Sequence, residues 1–263
     1  MNIKDKISVM IATHIVNATS NPYLNNDMIV KTIRSSYDKM GLNGVTYYVY
    51  IDATMKRLYP DLYTQYREKL LERFNEELSD IKIELLEETR ELLRGNWEHM
   101  IENCPTPYFL FLEHDWEFTE SIPTEKILSK MDENDNFSYI RFPYTKLGPG
   151  QPEHWDKTWG GYFEKDEEIN DLPLTKIAFY SGNPHITKIK KCKDFYLPLH
   201  KKYWSNKTKG TSHLEKELAD IAMMHVKTYG KKEAHNMWGC FLYGTWEGFN
   251  PVVKHLGDWC RKK

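Results

Sequence analysis

The sequence lacks the features that mark several common classes of protein. Its 263 residues include only four cysteines, no two of which form a C-x-x-C pair, so neither a zinc ribbon nor a disulfide-stapled scaffold is expected. No stretch approaches the roughly 18 consecutive apolar residues of a membrane-spanning helix. Lysine plus arginine total 36 against 38 for aspartate plus glutamate, so the positive excess that drives non-specific nucleic-acid binding is missing. We therefore predict no membrane span and no nucleic-acid partner.

The beginning of the sequence does not have the pattern of a secretion signal, so we expect none. Residues 7–12 (ISVMIA) form a short apolar run that ends in polar residues, and no small-residue cleavage site follows it. The low cysteine content favours a reducing compartment. We therefore expect a soluble, cytoplasmic protein with free thiols.

Several catalytic signatures are missing as well. The sequence contains no G-x-x-x-x-G-K-[ST], no G-x-G-x-x-G and no G-x-S-x-G motif, and its histidines form no H-E-x-x-H pattern. Phosphate-loop, dinucleotide-binding, α/β-hydrolase and zinc-protease chemistry therefore have no support in the sequence.

What the sequence does contain is the pattern of an α/β protein. The β-branched run at 7–12 predicts a buried strand, and 45–51 (VTYYVYI) predicts a second one. Between them, 26–40 have helical spacing, and Gly41 stands where a helix would be capped. A strand, a helix and a strand in this order favour a parallel pair of strands.

Further helices and one very apolar strand follow. Residues 60–78 and 89–103 have helical periodicity, and 81–86 fit either a short strand or a continuation of the helix before them. Residues 108–112 (YFLFL) are the most apolar run of the chain and predict a central strand that is buried on both faces. The first half thus predicts alternating strands and helices around a mostly parallel sheet.

The second half has fewer regular elements and more aromatic residues. Residues 137–142 predict a strand and 214–229 predict a helix. Aromatic residues cluster at 155–163 and 238–249, where they would either stack on sugar faces or form a second small core. We therefore expect this half to consist largely of loops and short elements.

The sharpest chemical signal is Glu113-His114-Asp115, which follows the apolar strand directly. Ligands of open α/β sheets bind at the carboxyl ends of the strands, and charge next to a fully apolar strand is costly unless it is used. Two carboxylates in this position suit a hard divalent cation, which bridges phosphate oxygens well. The alternative is an ordinary acidic strand end that caps the next turn.

The run Tyr108-Phe-Leu-Phe-Leu-Glu-His-Asp resembles the strand and D-x-D motif of GT-A glycosyltransferases, particularly the family-2-like group. The preceding segment with Arg94-Gly95-Asn96-Trp97 fits the same group. The resemblance covers about residues 5–120 and departs from the motif in Glu113, where aspartate is usual, and in the middle residue, His114. It implies a GT-A-like (Rossmann-like) fold, with a mostly parallel central sheet flanked by helices and a loop-rich C-terminal acceptor half.

The resemblance also implies a metal site for Mn²⁺ or Mg²⁺. Asp115 matches the position that is usually the direct metal ligand, and Glu113 would then make a ribose or water-mediated contact. Many GT-A enzymes complete the metal site with a late histidine, for which His255 is the candidate. The alternative for His255 is a structural role.

Four further residues are implied to bind the nucleotide sugar. Thr13 and His14 end the first strand, where the corresponding loop of GT-A enzymes contacts the base and ribose. Asp52 ends the second strand and matches an acid with similar contacts, although an aspartate there also forms turns. Arg94 would offer charge to the diphosphate, and its alternative is a solvated helix face.

The resemblance places an acidic catalytic base well after the metal motif, and Glu215 is our candidate for it. In an inverting transfer, such a carboxylate takes the proton of the acceptor hydroxyl. The alternative is a capping box, because Ser212 and Glu215 have S-x-x-E spacing at a helix start. Glu217 and Asp220 are the reserve candidates for the base.

The resulting prediction is a metal-dependent hexosyl- or pentosyl-type transferase. It would move a sugar from a nucleotide-diphosphate sugar to an acceptor hydroxyl, and the predicted acceptor is a glycan. No flexible linker divides the chain, so we predict one domain over 1–263, with a nucleotide-sugar-binding half at about 1–120 and an acceptor half at about 121–263. The alternatives are a nucleotidyltransferase acting on sugar phosphates, whose Gly-rich phosphate loop is missing here, and a catalytically inactive GT-A-like domain that binds a glycan.

Overall fold

The computed structural model describes most of the chain in two compact units. The described residues are 2–13, 24–87, 92–144, 164–165, 169, 171–178, 180–205, 214–244 and 251–256. The first unit comprises Met1–Pro123 together with Val253–Lys263, and the second comprises Thr124–Val252. Our prediction of one domain, with a donor half and an acceptor half divided at about residue 120, stays a prediction.

The first unit contains a fully parallel sheet. Its strands are β1 (Ile7–Thr13), β2 (Tyr47–Ile51), β3 (Ile83–Glu87) and β4 (Tyr108–Glu113). They lie in the order β3-β2-β1-β4, and each neighbouring pair is parallel. All seven residues of β1 are buried, which explains why it is apolar without alternation, as strands covered on both faces are.

Helices connect these strands. They are α1 (Leu24–Met40), α2 (Ala53–Leu58), α3 (Pro60–Glu77) and α4 (Leu92–Asn103). Helix α3 begins at a proline, which is favoured in the first turn because it lacks an N–H group. Its buried residues recur every three or four positions, so one stripe of the helix faces the core: Tyr63, Tyr66, Leu70 and Phe74. Gly41 follows α1 with a positive φ of 63°, as predicted for its cap.

A separate two-stranded sheet completes the first unit. Strand β5 (Trp116–Phe118) pairs antiparallel with β11 (Val253–His255), and His255 lies opposite Trp116. The carboxyl-terminal part of the described chain therefore returns to the residues that follow β4.

The second unit has a mixed sheet. After α5 (Thr124–Glu133), its strands are β6 (Tyr139–Arg141), β7 (Glu164–Lys165), β8 (Leu174–Ile177), β9 (His185–Lys188) and β10 (Cys240–Tyr243). Their order is β9-β6-β10-β8-β7. Strands β6 and β10 are parallel, and the other pairs within this unit are antiparallel.

The other described helices of the second unit lie in its carboxyl-terminal half. A short helix α6 (Ile189–Lys191) continues through a π-helical turn (Cys192–Tyr196) into α7 (Leu197–Ser205). Helix α8 (Leu214–Tyr229) and helix α9 (Lys231–Trp238) follow. Helix α8 has the bounds that its periodicity predicted.

The predicted α/β class, a mostly parallel central sheet flanked by helices, is confirmed. The segment at 81–86, which fitted a strand or a helix, is strand β3. No helix in the described ranges is long and apolar enough to cross a membrane. Cys104, Cys192 and Cys240 are not part of a disulfide bond, and Cys260 lies outside the described residues. So do the aromatic residues at 155–163 and 245–249.

Gly239 joins α9 to β10 in a conformation that only glycine adopts without strain. Its φ is +63°, and an added Cβ would lie 2.6 Å from the carbonyl oxygen of Asn136. Gly239→Ala is therefore expected to lower the free energy of unfolding by roughly 2–5 kcal/mol, from left-handed backbone strain and overpacking together. Urea titration measures this loss.

Gly41→Ala is the matched control for this prediction. Gly41 has the same φ of +63°, but an added Cβ would meet no atom within 4 Å. Gly41→Ala should therefore lower the free energy of unfolding through backbone strain alone, by about 1–2 kcal/mol. Equal losses in the two variants would contradict the close packing around Gly239.

Candidate functional site

The turn after β4 brings together two residues that are far apart in the sequence. Asp115 lies in the turn between β4 and β5, and His255 ends β11. The Asp115 Oδ2 atom is 2.9 Å from His255 Nε2. The backbone N–H of Leu256 also donates a 2.7 Å hydrogen bond to the Asp115 carbonyl oxygen. The end of β11 is thus attached to the turn by both a side chain and the backbone.

The surroundings of this pair keep it partly shielded from water. The side chains of Asp115 and His255 are 14% and 22% exposed, so a ligand can still reach them. The Trp116 ring stands edge-on to the His255 ring, with 4.8 Å between the ring centroids. From α1, the Thr32 hydroxyl donates a 2.9 Å hydrogen bond to the His114 carbonyl oxygen and thereby supports the turn.

The electrostatics of the pair favour a charged Asp115. Burial acts to raise the pKa of its carboxyl group, but the hydrogen bond with His255 and the charges of His114 and His255 outweigh burial and lower the pKa. Asp115 is therefore a carboxylate at neutral pH, as a metal ligand must be.

The second carboxylate oxygen of Asp115 has unused bonding capacity. Asp115 Oδ1 is buried and has no hydrogen-bond partner in the structure. An orphaned carboxylate oxygen beside an imidazole suits Mn²⁺, and Mg²⁺ typically takes one or two carboxylates and completes its shell with substrate phosphates and water. No group of three or more His, Cys, Asp or Glu side chains in the described ranges is placed to hold a metal ion. The residues present thus fit a metal ion that is coordinated partly by a phosphate ligand. They do not fit an ion that is enclosed by protein ligands alone.

Other buried polar atoms without hydrogen-bond partners lie in the helices that come after β1, β2 and β3. They are Asn26 Nδ2 and Oδ1 at the start of α1, Thr54 Oγ1 at the start of α2, and Asn96 Oδ1 in α4. Burying such groups without hydrogen bonds costs free energy, so native proteins satisfy most of them. These helices start at the carboxyl edge of the sheet, where open α/β sheets bind their ligands. The edge therefore has hydrogen-bonding capacity that a polar ligand fits.

Thr13 and Asp52, two predicted nucleotide-binding residues, lie at the same edge. The Thr13 hydroxyl is 2.6 Å from the Tyr66 hydroxyl, and the Thr13 carbonyl oxygen accepts a 2.9 Å hydrogen bond from the Asp52 N–H. Asp52 Oδ1 accepts a 2.8 Å hydrogen bond from the Thr54 N–H. Asp52 therefore does form the turn that we considered as its alternative role, and nucleotide binding by both residues stays a prediction.

The structure describes less of the remaining predicted site residues. Glu113 is the last residue of β4 and is half-buried. Arg94 lies in α4 and Glu215 is the second residue of α8, but the described structure does not extend to their side chains. His14 lies outside the described residues. The structure thus brings together Asp115 and His255, and the roles of all the predicted site residues remain to be tested.

Sequence reasoning assigned no ligand-binding role to Asn26, Thr54 or Asn96, although Asn96 belongs to the segment that fits the GT-A group. Polar residues near the starts of helices are common because they cap the backbone, so residue type alone does not mark Asn26 and Thr54. Only burial combined with the lack of a partner singles them out.

The fold belongs to the GT-A-like class of glycosyltransferase folds. One solved structure that it resembles is that of S. aureus TarS, residues 1–349, a GT-A glycosyltransferase. The TM-score is 0.51 at 10% sequence identity, and the match covers 96% of this chain and 61% of the TarS chain. This similarity defines the fold, and this chain spans only about three fifths of the length of that one. No family model matches the sequence, and neither does any curated protein.

Proposed function

We propose that this protein is a metal-dependent glycosyltransferase. It transfers a sugar from a nucleotide-diphosphate sugar to an acceptor hydroxyl, and the proposed acceptor is a glycan. The observation that carries the proposal is the buried, partnerless Oδ1 of Asp115, next to His255 at the carboxyl end of β4. The GT-A-like fold supports it, because ligands of such sheets bind at this edge.

Asp115 and His255 would hold the metal ion. Mn²⁺ or Mg²⁺ bound there supplies positive charge that neutralises the leaving diphosphate. The hydrogen bond between Asp115 and His255 orients both side chains before a ligand arrives. Such preorganisation limits the cost of ordering the site on binding.

The other residues would bind the donor and move a proton. The unsatisfied polar atoms of Asn26, Thr54 and Asn96 offer hydrogen bonds to the hydroxyl, base or phosphate groups of the donor. Glu215 would accept the proton of the acceptor hydroxyl as it attacks the sugar, and general-base assistance of this kind contributes roughly 10²- to 10⁴-fold in rate.

A thermal-shift screen of nucleotide sugars tests the proposal. A donor at 100 times its Kd stabilises the native state by about 2.7 kcal/mol, which for a chain of this size raises the melting temperature by about 5–10 °C. The rise is expected with Mn²⁺ and should vanish in EDTA. A panel of nucleotide-diphosphate sugars that gives no shift at any metal concentration would contradict the proposal.

The nucleotide formed from a nucleotide sugar that stabilises the protein distinguishes the proposed glycosyltransferase from the two alternative functions. A glycosyltransferase releases a nucleoside diphosphate when a glycan acceptor is added. A nucleotidyltransferase working in reverse consumes pyrophosphate and forms a nucleoside triphosphate. An inactive binding domain leaves the nucleotide sugar intact, so chromatography of the nucleotides distinguishes the three.

A further inference from the structure

A buried pair of ionisable side chains joins two helices of the second unit. His200 Nε2 in α7 lies 2.8 Å from Glu217 Oε2 in α8, and the two side chains are 0% and 2% exposed. Buried ionisable groups need a close partner, because they have lost their hydration. Such a pair is weak evidence for stability, since well-packed apolar residues often serve as well or better. What the pair adds is a fixed contact between α7 and the first turn of α8.

This contact matters for α8 because the neighbouring buried residues in the first half of the helix are apolar. Its buried residues next to Glu217 are Leu218, Ala219, Ile221 and Ala222. Apolar burial is non-directional, so these residues alone do not specify which part of the neighbouring helix the first turn of α8 meets. His200 Nε2 and Glu217 Oε2 are 2.8 Å apart without hydrogen-bond geometry. The contact is still costly to open, because either side chain left alone would be a buried ionisable group without its partner. It therefore holds the first turn of α8 next to α7.

The contact between His200 and Glu217 lies at the beginning of α8. Glu217 is in the first turn of α8, the same turn that carries Glu215. A second buried polar contact of this helix, from Trp238 Nε1 to His225 Nδ1 at 3.2 Å, involves a residue about 12 Å further along the axis at 1.5 Å rise per residue. The two contacts thus hold opposite ends of α8.

We propose that Glu217 is a positioning residue, which through its contact with His200 holds the first turn of α8, and with it Glu215, in the orientation that transfer requires. The proposal rests on the proposed glycosyltransferase function. It also removes Glu217 from the candidates for the base, because a base must reach the acceptor hydroxyl, whereas Glu217 is buried against His200.

Two variants separate positioning from the other roles of Glu217. The double variant His200→Leu/Glu217→Leu replaces the pair by apolar side chains and should fold, as buried ion pairs replaced in this way commonly do. We expect its kcat to fall about tenfold or more with the KM for the donor within twofold, since a small misplacement of a reacting group costs up to about 10²-fold. Glu217→Gln keeps the size and polarity of the side chain that faces His200, so its kcat should stay within a few-fold of the wild type.

His225→Leu is the matched control, because it removes the polar contact at the other end of α8. It should lower the melting temperature and leave kcat unchanged. A folded double variant with wild-type kcat overturns the proposal, as does an equal loss of kcat in His225→Leu. A loss of 10²-fold or more in Glu217→Gln overturns it in favour of a base role for Glu217.

Hydrogen exchange gives a readout that does not depend on activity. In the double variant, the amides in the first half of α8 should exchange faster than in the wild type, while those in the second half should not change. Unchanged exchange in the first half overturns the proposal even if no reaction is found. If the wild type transfers no sugar at all, the proposed function fails, and this outcome is distinct from a wild-type enzyme that is active beside an equally active double variant.

Discussion

Asp115→Asn is expected to abolish most of the metal-dependent binding of nucleotide diphosphates. The substitution keeps the size of the side chain but removes the negative charge that the lowered pKa maintains at neutral pH. A metal ion in such a site contributes several kcal/mol, and each 1.4 kcal/mol or so corresponds to a tenfold change. We therefore expect affinity in the presence of Mn²⁺ to fall about 100-fold or more, as measured by calorimetric titration, with little change in melting temperature.

Glu117→Gln is the matched control for Asp115→Asn. Glu117 lies on the same pair of strands, where its carboxylate is 2.7 Å from Lys254 Nζ and more exposed than Asp115. The variant removes one carboxylate from β5 and should leave nucleotide binding unchanged. If Asp115→Asn binds as tightly as the wild type, or if the wild type binds equally well in EDTA, Asp115 is not a metal ligand.

The regular elements of the first unit could be predicted from the sequence because local patterns determine them. The fully buried strands β1 and β4 are continuous apolar runs, and α3 has a buried stripe at helical spacing. Their predicted bounds differ from the observed ones by one residue. Segment 81–86 stayed ambiguous because Leu85 and Leu86 are only half-buried in a short strand, and its pattern also continues the periodicity of α3.

The pairing of β5 with β11 could not be predicted in the same way. Each strand has only three residues, and the whole second unit lies between them in the sequence. Such short segments carry too little periodicity to identify a strand, and pairing between distant segments is a property of the tertiary fold. Strands β7, β8, β9 and β10 of the second unit, which have only two to four residues each, were not predicted either, whereas β6 lies within the predicted strand 137–142.

The candidate site shows the same division between local and distant information. Asp115 stood out because charge follows a very apolar strand, and His255 was singled out only through the resemblance to GT-A enzymes. The contact between them depends on the β5–β11 pair. The pair formed by His200 and Glu217 joins two helices through side chains that have no common sequence pattern, so only the structure distinguishes Glu217 from Glu215 and Asp220.

Glu215→Gln is expected to slow sugar transfer by roughly 10²- to 10⁴-fold, because the glutamine side chain keeps the shape but cannot accept the proton of the acceptor hydroxyl. Binding of the donor and of Mn²⁺ should stay close to the wild type, since the base acts on the acceptor and not on the diphosphate. If Glu215 serves only in a capping box with Ser212, the effect should be small. Glutamine also occupies that position, and the helix should lose well under about 1 kcal/mol.

Asp220→Asn provides the comparison on the same helix. Asp220 is half-buried in α8, little more than one turn beyond Glu215. With Glu215 as the base, Asp220→Asn should transfer sugar at nearly the wild-type rate under acceptor saturation. A severe loss in Asp220→Asn together with near-normal transfer in Glu215→Gln would assign the base to Asp220. Near-normal transfer in both variants would leave Asp156, which lies outside the described residues, as the next carboxylate to replace, because Glu217 is buried against His200.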